Sequence, residues 1–213
     1  QRTRREGEPR LFDDLHVRDA LGEALPVRFS LETGPDDTIE AIRAKERAFR
    51  SIAGNRSPLA RWREVADLWC ACWLAPDGRA LPFTAFSALA DAVVSGRSAL
   101  PADVERRYLE SSRNIARTRK MFHWELEFPE VFFDPTDARL VHAGFDAVIG
   151  NPPWDMLRGG QDEHKSRAAQ TVRFTRDSGT YEAQSGGGHA NLYQLFVERS
   201  VSLTRAGGRI GLV

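Results

Sequence analysis

The stretch that decides the fold reads FDAVIGNPPW and covers residues 145–154. Its first five residues form a short, mostly apolar run, which predicts a buried strand at 145–149. Two consecutive prolines must end that strand, because neither carries a backbone N–H and each fixes φ. A stiff loop of an amide, two prolines and an indole ring therefore follows the carboxyl end of a strand. In an open α/β sheet, that end is where ligands bind.

The sequence after this loop predicts a second strand of the same sheet. The stretch NLYQLFVERSVSLTRA at 191–206 has the spacing of an amphipathic helix, and a glycine-containing turn and a strand at 209–213 follow it. We therefore expect 145–149 and 209–213 to be parallel neighbours, joined through the helix by a right-handed crossover. The polar stretch 155–189, which includes SGGGH at 185–189, is predicted to be a long loop.

The sequence before residue 121 is mostly helical in pattern, with helix signals in 36–54, in 57–75 and between 82 and 122. Weak strand character is confined to 27–31. The aromatic stretch FHWELEFPEVFF at 122–133 alternates and belongs with the α/β part. We therefore predict a mostly helical segment at 1–120, an insertion or linker, and part of an α/β domain at 121–213.

Composition excludes few functions. The net charge is zero, with 30 basic and 30 acidic residues, so no global field indicates a polyanionic partner. Neither a long apolar run nor a signal peptide is present, and we expect a cytoplasmic protein without membrane contact. Cys70 and Cys72 have the spacing of neither a zinc site nor a redox pair. We expect them to be apolar fillers on a buried helix, and we expect no metal site.

The loop at 151–154 suits the binding of a flat amino group whose lone pair is delocalised. The side-chain oxygen of Asn151 and the carbonyl of Pro152 can accept its two hydrogens and draw the nitrogen towards tetrahedral geometry. Pro153 stiffens the loop, so that these acceptors are aimed before the substrate arrives. Trp154 offers a face on which a base flipped out of a duplex can stack. A rigid turn with an exposed aromatic ring is the structural alternative.

FDAVIGNPPW resembles the catalytic motif of S-adenosylmethionine-dependent amino-methyltransferases, whose pattern is Asn, Asp or Ser, then Pro-Pro and an aromatic residue. With FHWELEFPEVF before it and ANLYQLFVERSVSLTRAGGRIGLV after it, the region 122–213 resembles the large adenine-N6 DNA methyltransferases of type IIG restriction-modification and BREX-type phage-defence systems. Members more often carry Tyr or Phe where this chain has Trp154, and stacking survives that change. The resemblance implies a partial Rossmann-like methyltransferase domain.

By this resemblance, Asn151 and Pro152 orient the target adenine, Pro153 shapes the loop and Trp154 stacks on the flipped base. Double-stranded DNA is the implied partner, and other defence-system subunits are possible partners. The polar loop at 155–189 would close over the DNA. Its basic residues are candidates for phosphate contacts, a disordered loop being the alternative: Arg158, Lys165, Arg167, Arg173 and Arg176.

The implied cofactor is S-adenosylmethionine, but no strand that ends in a glycine-rich D/F-x-G-x-G turn precedes the motif. Because the chain opens on Gln1 and closes within a strand pattern, we expect a fragment whose cofactor residues lie upstream.

Two other functions stay open. One is methylation of a glutamine amide in a release factor or of guanine in ribosomal RNA, and the other is a non-catalytic DNA-binding defence component. Asn rather than Ser at position 151 disfavours a cytosine-N4 enzyme.

Overall fold

The computed structural model describes residues 15–76, 81–154, 162–182 and 191–213. Within these ranges the chain is rich in helices and carries one small parallel sheet. The elements in chain order are α1 (Leu15–Thr33), α2 (Ile39–Ile52), α3 (Ala60–Leu74), α4 (Phe83–Ser95), α5 (Ala102–Arg119), α6 (Trp124–Glu127), α7 (Pro129–Phe132), β1 (Phe145–Gly150), α8 (Asp162–Asp177), α9 (Leu192–Leu203) and β2 (Thr204–Leu212).

The chain divides into two compact units. The first comprises Gln1–Ala66 and His123–Val141, and the second comprises Asp67–Phe122 and His142–Val213. The second unit therefore combines helices from before residue 121 with the sheet. The domains predicted from the sequence, 1–120 and 121–213, have different bounds from these two units, and they stay a prediction. No helix in the described ranges is both long and apolar enough to span a membrane.

The regular elements in the described part of the first unit are helices, and one isolated antiparallel bridge joins Phe133 to Arg139. α1 contributes Leu21 and Leu25 to the core, both almost fully buried, and packs against α2 and α7. The Arg63 guanidinium donates to the Glu127 carboxylate at 2.6 Å, which fixes α6. One expectation is wrong here: residues 27–31, which have weak strand character in the sequence, lie within α1, although Pro26 stands inside that helix. Most of the aromatic stretch 122–133 forms α6 and α7.

The aromatic stretch is helical because its alternation is only apparent. Leu126, Pro129 and Phe132 recur every three residues, and all three are buried, so one helical side of the stretch carries its apolar contacts. Phe128 lies between the two short helices with φ −131° and ψ 61°, which keeps them from forming one continuous helix before Pro129.

The second unit has its core where α3, α4 and α5 meet. Leu68, Cys72, Leu81, Leu89 and Ile115 belong to one buried cluster, as the predicted helix patterns require. The prediction that the cysteines are buried fillers is confirmed for Cys72, whereas Cys70 is half-buried. Burial raises the pKa of Cys70 to about 12 and that of Cys72 to about 11, so both thiols are protonated and unreactive at neutral pH.

β1 and β2 are parallel neighbours, which confirms the predicted pairing. The predicted burial of the first strand is wrong, because no residue of β1 is buried. Ala147 pairs with Arg209 and Ile149 with Gly211, and α9 lies between the strands in sequence. β2 begins earlier than predicted: Thr204 already pairs with Phe145, and residues 205–208 bulge out between the two paired positions. Gly207 has φ +77° in this bulge, a backbone conformation that glycine adopts without strain. The hand of the crossover stays a prediction.

The predicted long loop at 155–189 is wrong for its central part, because Asp162–Asp177 forms α8. The stretch is polar, but Arg, Ala, Gln and Lys are strong helix formers. Tertiary contacts complete the helix: Gln170 and Thr175 are buried, and the Phe174 ring meets the Trp69 ring edge-on at 5.8 Å. The SGGGH stretch at 185–189 lies outside the described residues.

Candidate functional site

The loop predicted to be catalytic begins where the paired part of β1 ends. The carbonyl oxygen of Gly150 accepts a hydrogen bond from the Val213 N–H at 3.1 Å, so the strand pairing continues up to the residue before Asn151. We call residues 151–154 the NPPW loop. Its first residue is thereby fixed at the carboxyl end of a parallel strand, the position that ligand sites of α/β sheets occupy.

The NPPW loop buries one side chain and presents the others. Pro152 is fully buried, whereas Asn151 and Pro153 are exposed and Trp154 is 72% exposed. Among the described residues, none is hydrogen-bonded to the side chain of Asn151. A buried proline thus holds the loop in place, while an amide and an indole ring remain available to a ligand. The catalytic and stacking roles of these residues stay a prediction.

Trp154 is not held by the loop alone. Its indole stacks on the Tyr193 ring, with ring centroids 5.1 Å apart and an angle of 15° between the planes. Tyr193 lies in the first turn of α9, whose N-cap Asn191 accepts a hydrogen bond from the Tyr193 N–H at 3.0 Å. The cap fixes the start of the helix, and the helix start fixes the ring on which Trp154 rests.

α9 supports the NPPW loop at a second point. A Cβ atom built on Gly150 would lie 2.7 Å from Cζ and 3.1 Å from Cε1 of Phe196, well inside ordinary carbon contact. Only glycine lets the Phe196 ring approach the backbone this closely. Tyr193 and Phe196 are three residues apart on α9 and therefore lie on one side of the helix. Phe196 contacts Gly150, just before the NPPW loop, and Tyr193 contacts Trp154, at its end.

Sequence reasoning missed Tyr193 and Phe196. Both were interpreted as part of an amphipathic helix, because a Tyr and a Phe at i and i+3 of such a helix are ordinary core residues. The signal that was present is Gly150. A glycine at the end of an apolar strand indicates close approach of another group, and the first turn of the next predicted helix offered two aromatic candidates.

The five predicted DNA-contacting residues have different surroundings. Arg158 and the side chain of Lys165, a residue of α8, lie outside the described part of the chain. Arg167 and Arg176 are exposed on the same helix. Arg173 donates to the carbonyls of Cys72 and Trp73, both at 2.9 Å, and thereby caps the end of α3. Contacts of these residues with DNA stay a prediction.

Burial also lowers the pKa of one arginine near α8. Arg119, in the last turn of α5, donates to the Gln170 side chain, and Gln170 in turn donates to the Ser166 hydroxyl at 3.0 Å. Desolvation is the larger cause of the lower pKa of Arg119, and the neighbouring Arg167 charge adds to it. In the described ranges, no group of three or more His, Cys, Asp or Glu residues is placed to hold a metal ion.

The described residues do not fit the adenosine part of S-adenosylmethionine. A cofactor cradle of the expected type is a glycine-rich turn at the end of a strand, with an acidic residue after the next strand. β1 leads into the NPPW loop, and the glycines of residues 205–208 lie within a bulge of β2 instead of at its carboxyl end. What the described residues do assemble is the NPPW loop at the end of β1.

Comparison with known proteins gives one match. A family model described as "Eco57I restriction-modification methylase" matches residues 70–213, more than half of the chain and all of the β1–α8–α9–β2 region. No curated protein and no solved structure matches the chain significantly.

Proposed function

Because the chain belongs to the Eco57I restriction-modification methylase family, we propose that it carries the acceptor site of an adenine-specific DNA methyltransferase. The family establishes a restriction-modification methylase, that is, a DNA methyltransferase. The finer proposal is transfer of a methyl group from S-adenosylmethionine to N6 of adenine, in a type IIG or BREX-like defence system in the cytoplasm. The observation that carries it is the NPPW loop at the end of β1, with its amide and indole exposed above a buried proline.

The proposed chemistry at the loop concerns the exocyclic amino group of adenine. In the planar base, the N6 lone pair is delocalised into the ring and is a poor nucleophile. The Asn151 side-chain oxygen and the Pro152 carbonyl accept the two N6 hydrogens, and each hydrogen bond strengthens as positive charge develops on the nitrogen. Because the buried Pro152 ring fixes the direction of its carbonyl in advance, little reorganisation is needed at the moment of reaction.

Substrate access requires that adenine leave the double helix. In the duplex, one N6 hydrogen is bonded to thymine and the neighbouring base pairs cover both faces of the base, so the target nucleotide must rotate out of the stack before it meets the NPPW loop. An exposed indole stabilises the flipped base by stacking, worth roughly 1–3 kcal/mol per base. Trp154, with 72% of its surface exposed, is suited to that role. Double-stranded DNA with a flipped adenine is therefore the proposed partner, along with other defence-system subunits.

S-adenosylmethionine is proposed as methyl donor from the family alone. When bound, it supplies an electrophilic methyl group. The described residues lack the cradle that would hold its adenosine, so the proposed roles in the reaction are confined to Asn151, Pro152 and Trp154.

The two strands are proposed to belong to a larger Rossmann-like sheet. Parallel sheets are normally covered on both faces, and two strands alone are marginally stable. Here Ile149 is 82% exposed and Ile210 is 38% exposed, although both are apolar residues of the paired strands. Apolar side chains in a parallel pair are what further strands and helices of a methyltransferase domain would cover.

The proposed specificity is tested by identifying the methylated nucleoside. The full-length protein is incubated with isotope-labelled S-adenosylmethionine and unmethylated genomic DNA, and the digested nucleosides are separated by liquid chromatography and mass spectrometry. We expect label in N6-methyldeoxyadenosine. Label in N4-methyldeoxycytidine would overturn the adenine assignment. Parallel reactions with ribosomal RNA and with release factor test the alternative acceptors, and label there with none in DNA would overturn the DNA assignment.

A further inference from the structure

Trp154 reaches the solvent with only one of its two ring faces. The other face lies against Tyr193, at a centroid distance of 5.1 Å and an interplanar angle of 15°. Trp154 is nevertheless 72% exposed, so its outer face and edges are open. While the Trp154–Tyr193 pair is intact, a planar ligand can stack only on the outer face of the indole.

The backbone of Tyr193 is held by the helix cap. This residue lies in the first turn of α9, and its backbone N–H is bound by the Asn191 cap at 3.0 Å. One turn further along, Phe196 lies against Gly150, the residue before the NPPW loop. The start of α9 therefore makes two contacts around the loop, one before Asn151 and one at Trp154, and these contacts set where the indole lies relative to the Asn151 amide.

We propose that Tyr193 is a positioning residue that fixes the Trp154 indole and restricts base stacking to its outer face. The inference rests on the proposed function, since it concerns the base that the NPPW loop receives. Tyr193 acts through Trp154 and does not touch the base. Without it, the indole is free to adopt other rotamers, and the flipped base must order the indole when it binds.

The expected size of the effect follows from the strength of stacked aromatic pairs. Such a pair contributes an amount that corresponds to about a two- to tenfold change in an equilibrium constant. We expect Tyr193→Leu to weaken formation of the flipped complex by that factor. The rate of methyl transfer from the saturated complex should change much less, because Asn151 and Pro152 are unaltered. Tyr193→Phe keeps the ring and should behave as wild type.

The first measurement concerns the stack itself and needs no DNA. Near-ultraviolet circular dichroism and acrylamide quenching of tryptophan fluorescence are compared for wild type, Tyr193→Leu and Tyr193→Phe. Each is also compared in a Trp154→Phe background, so that the Trp154 signal is obtained by difference. Tyr193→Leu should change the Trp154 signal, and Tyr193→Phe should keep it. An identical Trp154 signal in all three proteins would overturn the inference, whatever reaction the protein catalyses.

The second measurement concerns the base. Duplexes carrying 2-aminopurine at the target position are titrated with the full-length proteins, and the fluorescence rise reports flipping. The matched control is Tyr181→Leu, because Tyr181 contacts Phe174 on α8 and not Trp154. A KM increase with kcat kept, seen for Tyr193→Leu but not for Tyr193→Phe or Tyr181→Leu, supports the proposal. Unchanged flipping in Tyr193→Leu, with wild-type DNA methylation intact, overturns it and leaves the proposed function standing.

Discussion

Replacing Gly150 by alanine tests whether α9 holds the NPPW loop. The added Cβ would lie 2.7 Å from Cζ of Phe196, whereas carbon atoms in contact normally lie about 3.5–4.0 Å apart. Either the ring or the strand end must therefore move by about 1 Å. Overpacking of this kind typically costs about 1–3 kcal/mol. For a chain of this length, that corresponds to a decrease in Tm of very roughly 2–12 °C.

The assay is a double-mutant cycle on thermal unfolding, followed by circular dichroism. Phe196→Ala alone removes packing and should also destabilise the chain. In the Phe196→Ala background, however, Gly150→Ala meets no ring and should cost little, which gives a coupling free energy of about 1–3 kcal/mol. Strictly additive effects of the two substitutions would refute the contact. A wild-type Tm for Gly150→Ala alone would refute the close approach itself.

The same substitution should also impair the proposed chemistry. A shift of about 1 Å at Gly150 is transmitted to Asn151, the next residue, and misplacement of that size can reduce the rate of a positioned reaction by about 10²-fold. We therefore expect Gly150→Ala to lower kcat more than a stability loss alone would explain at a temperature where the variant is fully folded. A folded Gly150→Ala protein with wild-type kcat would show that the contact between Gly150 and Phe196 does not affect catalysis.

Three further predictions concern the second unit. Ser112→Ala should raise Tm, because the Ser112 hydroxyl is buried without a hydrogen-bond partner among the described residues and alanine is the better helix former; a lower Tm would show that the hydroxyl is satisfied. At pH 8, Cys70 and Cys72 should react with Ellman's reagent roughly 10²–10³-fold more slowly in the folded protein than in the denatured chain. The reason is that their raised pKa values leave almost no thiolate until the pH approaches 11. Fast labelling of the folded protein would contradict this burial. Arg173→Gln should lower Tm, because it removes the cap of α3. Arg167→Gln should leave Tm unchanged and reduce the salt dependence of DNA binding by about one phosphate contact. Equal effects of both substitutions on Tm would contradict the different roles of these two arginines.

The sequence was sufficient for the sheet and the loop because local rules decide them. A short apolar run that ends in two prolines is well explained as a strand followed by a stiff turn, and a parallel partner needs a crossover helix. β1, α9 and β2 were therefore predictable, as was the exposed position of Asn151 and Trp154. The family resemblance then gave the class of enzyme.

The sequence was insufficient where tertiary contacts outweigh local composition. α8 is polar and was predicted to be a loop, but the Phe174 ring packs on Trp69 and the buried Gln170 completes a hydrogen-bonded pair with Arg119. The alternating stretch 122–133, to which the sequence assigned no element, forms two short helices. The supporting role of Tyr193 was equally hidden, because stacking on Trp154 depends on how α9 lies against the loop.

The Asn151 amide is the group proposed to activate adenine N6, and the proposed chemistry depends on it. The direct measurement is the single-turnover rate at which the full-length protein forms N6-methyladenine in its target DNA, with saturating S-adenosylmethionine, for wild type and Asn151→Ala. Asn114→Ala is the matched control, since Asn114 is exposed on α5. We predict a loss of about 10²-fold or more for Asn151→Ala, with base flipping retained by 2-aminopurine fluorescence and with Asn114→Ala at the wild-type rate. A wild-type rate of adenine methylation by Asn151→Ala would contradict the catalytic role of this amide.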